Sequence, residues 1–207
     1  MTMPSTRKLS AALPAYEEPG AKIVETERLI IRRFFPSDAE AMAKAANNKA
    51  ISMNMRDGFP SPYTLADAEN FINNIANKFD GTGQHCGIFV KPNTAENSSP
   101  EPLFVGTIGL MAKDDIYFRT WELGYWLAET VWGKGYATEA AKALVRWCFD
   151  TWPELNRIEA CANRRNKASQ NVLRKSGLVE EGIRRGAACK NGEILDEVQF
   201  GLLRSEL

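Results

Sequence analysis

A turn built on two glycines, Trp132-Gly133-Lys134-Gly135-Tyr136-Ala137-Thr138-Glu139, joins a strand-like run to a helix-like run, and it constrains this chain more than any other segment. The residues before it, Trp121 to Leu127, are rich in aromatics and read as a strand. From Ala137 to Phe149, Ala140, Leu144, Trp147 and Cys148 recur at helical spacing. Gly133 and Gly135 allow positive φ and close approach to a ligand. The opening amides of the helix then face an anion with partial positive charge behind them. Phosphate binding and an ordinary glycine turn both fit these residues.

Two other phosphate loops compete for these residues, and each fails at specific positions. Five residues ahead of Gly133, where a P-loop carries glycine, stands Ala128, and Gly135 occupies the place of the Ser or Thr that follows the lysine. The dinucleotide fingerprint finds Gly133-x-Gly135, but its third glycine is Thr138, and only about seventy residues remain to complete a doubly wound domain.

The chain has 207 residues, 44% of them hydrophobic, enough for one sizeable core. Its 26 basic and 26 acidic residues balance, so no global field concentrates nucleic acid or an anionic membrane. The N-terminus lacks an apolar signal core, and a cytoplasmic location is expected. Cys86, Cys148, Cys161 and Cys189 are widely spaced. With the single His85 they form neither a zinc pattern nor a disulfide framework, so no metal is expected.

Residues 1–22 mix Pro, Ser, Ala and charge and are expected to form a flexible arm ahead of one domain over 23–207. Within the domain, Arg28 to Phe35 reads as a strand. Ser37-Asp38 offers caps for a helix through Asn47, and Thr64-x-x-Asp67 is a capping box for a second helix. Strands follow over Cys86–Val90 and Leu103–Leu110 with a solvated loop between them. Then come a strand over Arg157–Ala162, a helix over Lys167–Lys175 ended by Gly177, and a hairpin turning at Asn191-Gly192. The sum is an α+β layer with a mixed, mostly antiparallel sheet of about seven strands and helices on both faces.

The order of strand, Trp132-Gly-Lys-Gly-Tyr-Ala-Thr-Glu-Ala140, helix, short strand, Asn166-x-x-Ser169, Lys175-Ser-Gly-Leu178 and Glu181-Gly182 resembles the GCN5-related N-acetyltransferases (GNAT). With the opening Thr26-Glu-Arg-Leu-Ile-Ile-Arg32, the likeness is to the ribosomal-protein alanine acetyltransferase branch and runs from about Glu25 to Leu203. The resemblance implies the GNAT fold and acetyl-CoA as co-substrate, with pyrophosphate on Trp132, Gly133, Lys134, Gly135, Tyr136, Ala137 and Thr138. Pantetheine would bond the edge of Tyr125, Trp126 and Leu127, and Asn166 would lie beside it. Family members splay two central strands at a bulge, for which Gly124 is the natural place here. Trp132 departs from the Gln or Arg common at the head of the motif. Leu173 stands where many relatives carry a tyrosine that protonates the leaving thiolate, and the branch points to Ser169 instead.

Acetyl transfer needs a neutral, positioned amine and a base to reach it. Glu122, on the same face as Gly124, is the candidate base, with a cross-strand ion pair as its other reading. Ser169 is either the thiol-side donor or the maker of a helix-start hydrogen bond to backbone. His85 and the tryptophans read mainly as packing, with Trp126 expected at the site mouth. Arg164, Arg165, Lys167, Arg174 and Lys175 form either a solvated face or a contact for the 3'-phosphate. Arg56, Phe59 and Tyr63 lie in the loop where the family builds its acceptor pocket. The expected partner is an amine acceptor, a small molecule or a protein N-terminus, and the protein a monomer or homodimer. The alternative is a catalytically weak sensor that binds CoA without turnover.

Overall fold

The computed structural model describes residues 7–79, 83–95 and 97–207. Eight strands form one sheet in the order β1-β2-β3-β4-β5-β6-β8-β7. They are β1 (Lys22–Glu25), β2 (Leu29–Arg32), β3 (Gly83–Val90), β4 (Leu103–Ala112), β5 (Thr120–Leu127), β6 (Arg157–Asn163), β7 (Val179–Lys190) and β8 (Glu193–Leu203). The expected count of about seven misses β1, whose four residues are too few to show a period.

Helices α1 (Ala39–Ala46), the single turn α2 (Lys49–Ser52) and α3 (Leu65–Phe71) cover one face of the sheet. Helices α4 (Tyr136–Thr151) and α5 (Lys167–Lys175) cover the other. Each helix buries one stripe: Ala39, Met42 and Ala46 on α1, and Ala140, Leu144, Val145 and Cys148 on α4. The stripe of α4 meets Leu29, Ile31, Leu123 and Ile158 from the sheet. That of α1 joins Phe34, Phe89 and Trp126 on the opposite side. Burying one such leucine contributes roughly 1.5–3 kcal/mol, so the two layers carry most of the stability.

The local signals map onto these elements with one change. Thr64 Oγ1 accepts from the Asp67 amide at 3.3 Å while Asp67 Oδ2 accepts from the Thr64 amide at 2.8 Å, completing the capping box. Asn191 and Gly192 both hold positive φ, 51° and 80°, as a tight hairpin with right-handed twist requires. Asp38, expected as a cap, makes no side-chain bond to α1 and instead receives both Nη atoms of Arg32 at 2.7 and 2.8 Å. A bidentate guanidinium is the stronger partner.

Residues 7–21 hold no helix or strand, in keeping with their composition, yet they lie against the domain. Arg33, fully buried, donates to the carbonyls of Ala15 at 2.9 Å and Tyr16 at 3.1 Å, and the Ala12 amide reaches the Thr151 carbonyl at 2.7 Å. No described helix is long and apolar enough to cross a membrane.

The pairing of β5 with β6 positions the site. It is the only parallel pairing among the described residues, and it covers just Thr120–Glu122 against Arg157–Glu159 before the strands part. Beyond that fork the β6-facing edge of β5 has no strand partner among the described residues. No bulge marks Gly124, because its register with Gly109 of β4 is unbroken. The irregularity lies instead between β3 and β4, where Ile88 pairs with Gly106 and Phe89 with Phe104. The opening therefore comes from termination of the parallel pair rather than from a kink in β5.

Candidate active site

The fork floors a cavity of about 860 Å³ that reaches from the glycine turn, past Tyr125 and Glu122, to the loop between α2 and α3. Every residue expected at the site lines it except Lys134.

At one end, Gly133 and Gly135 hold φ of +79° and +82°, the left-handed region closed to most side chains. A Cβ on Gly133 would meet nothing within 4 Å, so backbone conformation rather than crowding requires glycine there. Helix α4 opens with no side-chain cap, and the amides of Ala137 and Thr138 come before its first backbone bond, from Glu139 to the Gly135 carbonyl at 3.1 Å. They form a concave set of donors backed by the helix dipole, suited to a diphosphate.

Glu139, in the first turn of α4, would repel such an anion. Its carboxylate is instead held by Thr26 Oγ1 at 2.5 Å, the Arg28 amide at 3.1 Å and Arg28 Nε at 2.7 Å. Burial alone would raise the Glu139 carboxyl, but these bonds prevail and hold it below the ordinary carboxylate range. The same guanidinium donates to the Lys134 carbonyl at 2.9 Å and lies 4.8 Å from the centre of the Tyr136 ring. The Thr26-Glu-Arg28 segment thus clamps the glycine turn from a neighbouring loop. The sequence around Thr26–Arg28 carries no local sign of this clamp, since nothing near it shows that residue 28 meets residue 139.

In the middle, side chains alternate across β5. Trp121, Leu123 and Leu127 belong to the α4 face with Tyr125 packed against them, while Trp126 belongs to the α1 face. Tyr125 Oη lies 2.8 Å from Ser169 Oγ and 3.2 Å from the Ser169 carbonyl. Burial pushes the phenol up to about 12 despite the opposing bond from Ser169. Asn166 Oδ1 accepts from the Ser169 amide at 3.0 Å and caps α5, so the side chain expected beside pantetheine also fixes the serine. Trp132 Nε1 donates to the Leu127 carbonyl at 2.8 Å, which ends the open edge of β5 at that residue. Trp126 is buried in the wall of the cavity rather than set at its mouth, where Phe59 packs edge-on against it at 5.7 Å. Leu173 is buried in the core, and its position offers no hydroxyl.

At the far end Glu122 shares the face of Gly124 and Trp126, opposite Tyr125 and Ser169. It pairs with Arg56 from the α2–α3 loop, not with a neighbouring strand. Its cross-strand partner Glu159 is already neutralised by Lys113 and Arg157. Among the described residues no cluster of His, Cys, Asp and Glu could hold a metal ion. The arrangement therefore puts the glycine turn, the Tyr125–Ser169 hydroxyl pair and the Glu122 carboxylate on the wall of one cavity.

Comparison with known proteins places this geometry among relatives. Residues 28–179 match the family model described as the acetyltransferase (GNAT) domain. The chain is 31% identical over 182 residues to an uncharacterized N-acetyltransferase, p20 of Bacillus licheniformis, spanning 87% of this chain and 96% of that one. A putative ribosomal N-acetyltransferase, YdaF of Bacillus subtilis, is 38% identical over 101 residues, 49% of this chain and 54% of its own length. RimL, a ribosomal L7/L12 α-N-protein acetyltransferase solved with coenzyme A, shares the fold with a TM-score of 0.73 at 21% identity, over 88% of this chain and 97% of that one.

Proposed function

The chain belongs to the acetyltransferase (GNAT) family, and from that premise we propose that it carries the acetyl group of acetyl-CoA to a primary amine, with Glu122 as base and Tyr125 with Ser169 on the thiol side. The observation that carries the reading is the fork itself: a glycine turn opening α4 without a side-chain cap on one side and Glu122 on the other, joined by the edge of β5 that β6 leaves.

The residues present fit the co-substrate. Two glycines with no side chain leave the cradle open to a pyrophosphate, and Glu139, the nearby acidic group, is neutralised from behind by Arg28. The β5 edge would take a thin polar arm as an added strand, as far as the Leu127 carbonyl that Trp132 already holds. Acetyl-CoA, when bound, supplies an acyl group activated as a thioester.

An amine with pKa near 10 is neutral in only about one molecule in a thousand at pH 7. Glu122, where β5 and β6 part, takes the proton from the ammonium and leaves a nucleophilic lone pair. On the opposite face the Tyr125–Ser169 pair retains its protons at neutral pH and is placed to meet a thiolate. The acceptor is a protein N-terminus or a small-molecule amine, and the ribosomal acetyltransferases among the relatives favour the former. The reaction needs no metal and fits a cytoplasmic enzyme.

The Arg56 contact on Glu122 gives some support to a second reading, a CoA-binding sensor whose carboxylate is structural. A thiol-release assay with acetyl-CoA across amines and N-terminal peptides separates the two. For the enzyme, Glu122→Gln lowers kcat/KM by about 10²–10⁴-fold. Binding of acetyl-CoA without release for any acceptor supports the sensor.

A further inference from the structure

The contact between Arg56 and Glu122 is built unlike the other ion pairs at the fork. Glu159, next to Glu122 across the parallel strands, is gripped by Lys113 and Arg157, whose side chains are only 36% and 21% exposed. Glu122 is 20% exposed, but its cation arrives from a loop on a side chain that is 73% exposed. Such a pair adds little stability, because solvent screens it and a long side chain must be held still. Another cation replaces it at little cost.

The backbone beneath Arg56 is held independently. The Arg56 carbonyl accepts from the Phe59 amide at 2.9 Å, which closes a turn of the loop. Arg56 can therefore leave Glu122 by side-chain rotation alone. Elsewhere in the same cavity the wall is aromatic: the Phe59 ring lies tilted 4.7 Å from that of Tyr63 and edge-on to Trp126 at 5.7 Å. A cavity that holds both a carboxylate and an aromatic wall suits an organic ammonium ion, its charge drawn to the carboxylate and its apolar surface to the rings.

We propose that Arg56 is an internal placeholder for the acceptor's ammonium group, and that the acceptor is a primary amine that is cationic in solution and carries flat apolar surface beside its charge. The inference rests on the acetyltransferase reading, since it takes Glu122 as the group the acceptor must reach. Arg56 then sets acceptor specificity. It competes with weakly bound cations, excludes neutral molecules that cannot displace it, and swings clear when an ammonium with apolar surface docks.

The test is calorimetric titration of the CoA-loaded protein with phenethylamine, and with 2-phenylethanol as its uncharged counterpart. The wild type binds the amine and not the alcohol. Arg56→Ala binds the amine about tenfold more tightly, and Glu122→Gln binds amine and alcohol alike. Weaker or unchanged amine binding in Arg56→Ala overturns the proposal and makes Arg56 a direct substrate contact or a bystander. Equal binding of amine and alcohol by the wild type overturns it as well. Arg56→Gln, which keeps the stem of the side chain, separates loss of charge from loss of packing and should tighten binding as Ala does. The CoA titration that precedes each run keeps the two levels apart: failure to bind CoA removes the acetyltransferase reading, whereas normal CoA binding without the Arg56 effect removes only the placeholder.

Discussion

Tyr125 and Ser169 join strand β5 to the first turn of α5 through a hydroxyl pair 2.8 Å apart, on the face of the sheet opposite Glu122. The phenol, pushed up to about 12 chiefly by burial, stays protonated at neutral pH and can give a proton but not take one. Tyr125→Phe and Ser169→Ala are each expected to lower kcat by roughly 10²-fold while leaving the affinity for CoA nearly unchanged. Because the two hydroxyls act as one unit, the double variant should be little worse than either single one. Steady-state kinetics of the four proteins, with a CoA titration of each, checks this.

Arg28 is expected to matter for both stability and cofactor affinity. It holds Glu139 and the Lys134 carbonyl at once, so Arg28→Gln leaves a partly buried carboxylate at the mouth of the anion cradle. A loss of about 1–3 kcal/mol in urea unfolding is anticipated, together with weaker CoA binding. Adding Glu139→Gln to Arg28→Gln should recover much of the CoA affinity, because the uncompensated charge is gone. A double-mutant cycle on both readouts measures the coupling.

His85 should make the fold sensitive to acid. Its ring lies edge-on to Phe71 at 5.6 Å, and a Cβ on either Gly83 or Gly109 would come within 2.8 Å of it, so the imidazole fills a tight slot. Burial first, then the charge of Arg33, lowers its pKa from 6.5 to about 4. Between those values the unfolded chain binds the proton and the folded chain does not. Stability therefore falls as pH drops through that window, by at most about 1.4 kcal/mol per pH unit. His85→Asn should flatten the dependence of the urea midpoint on pH from 6.5 to 4.

Much of this was visible in the chain, for local reasons. The helix over Lys167–Lys175, the Thr64 box and the Asn191-Gly192 turn are specified within a few residues of one another, and they appear where those residues put them. Gly133 and Gly135 mark the turn of positive φ because that conformation is a property of the turn itself. What escaped notice is long-range. Arg28 meets Glu139 across 111 positions, Arg56 meets Glu122 across 66, and no period or cap signals either pair. Sheet geometry was missed in the same way. Gly124 looked like the kink that parts the strands, but whether β5 loses β6 depends on where β6 turns away, and the sequence of β5 does not carry that.

The central claim is that the backbone of the Gly133–Gly135 turn and the first turn of α4 grip a diphosphate. Isothermal titration of CoA into the wild type and Gly135→Asp tests it most directly, because an aspartate there adds a negative charge to the turn, on a Cβ 3.5 Å from Arg28 Nη2, and a side chain at a φ of +82°. The account predicts saturable binding by the wild type and none by the variant, with both proteins folded by circular dichroism. Undiminished binding by Gly135→Asp, or no binding by the wild type, would contradict it.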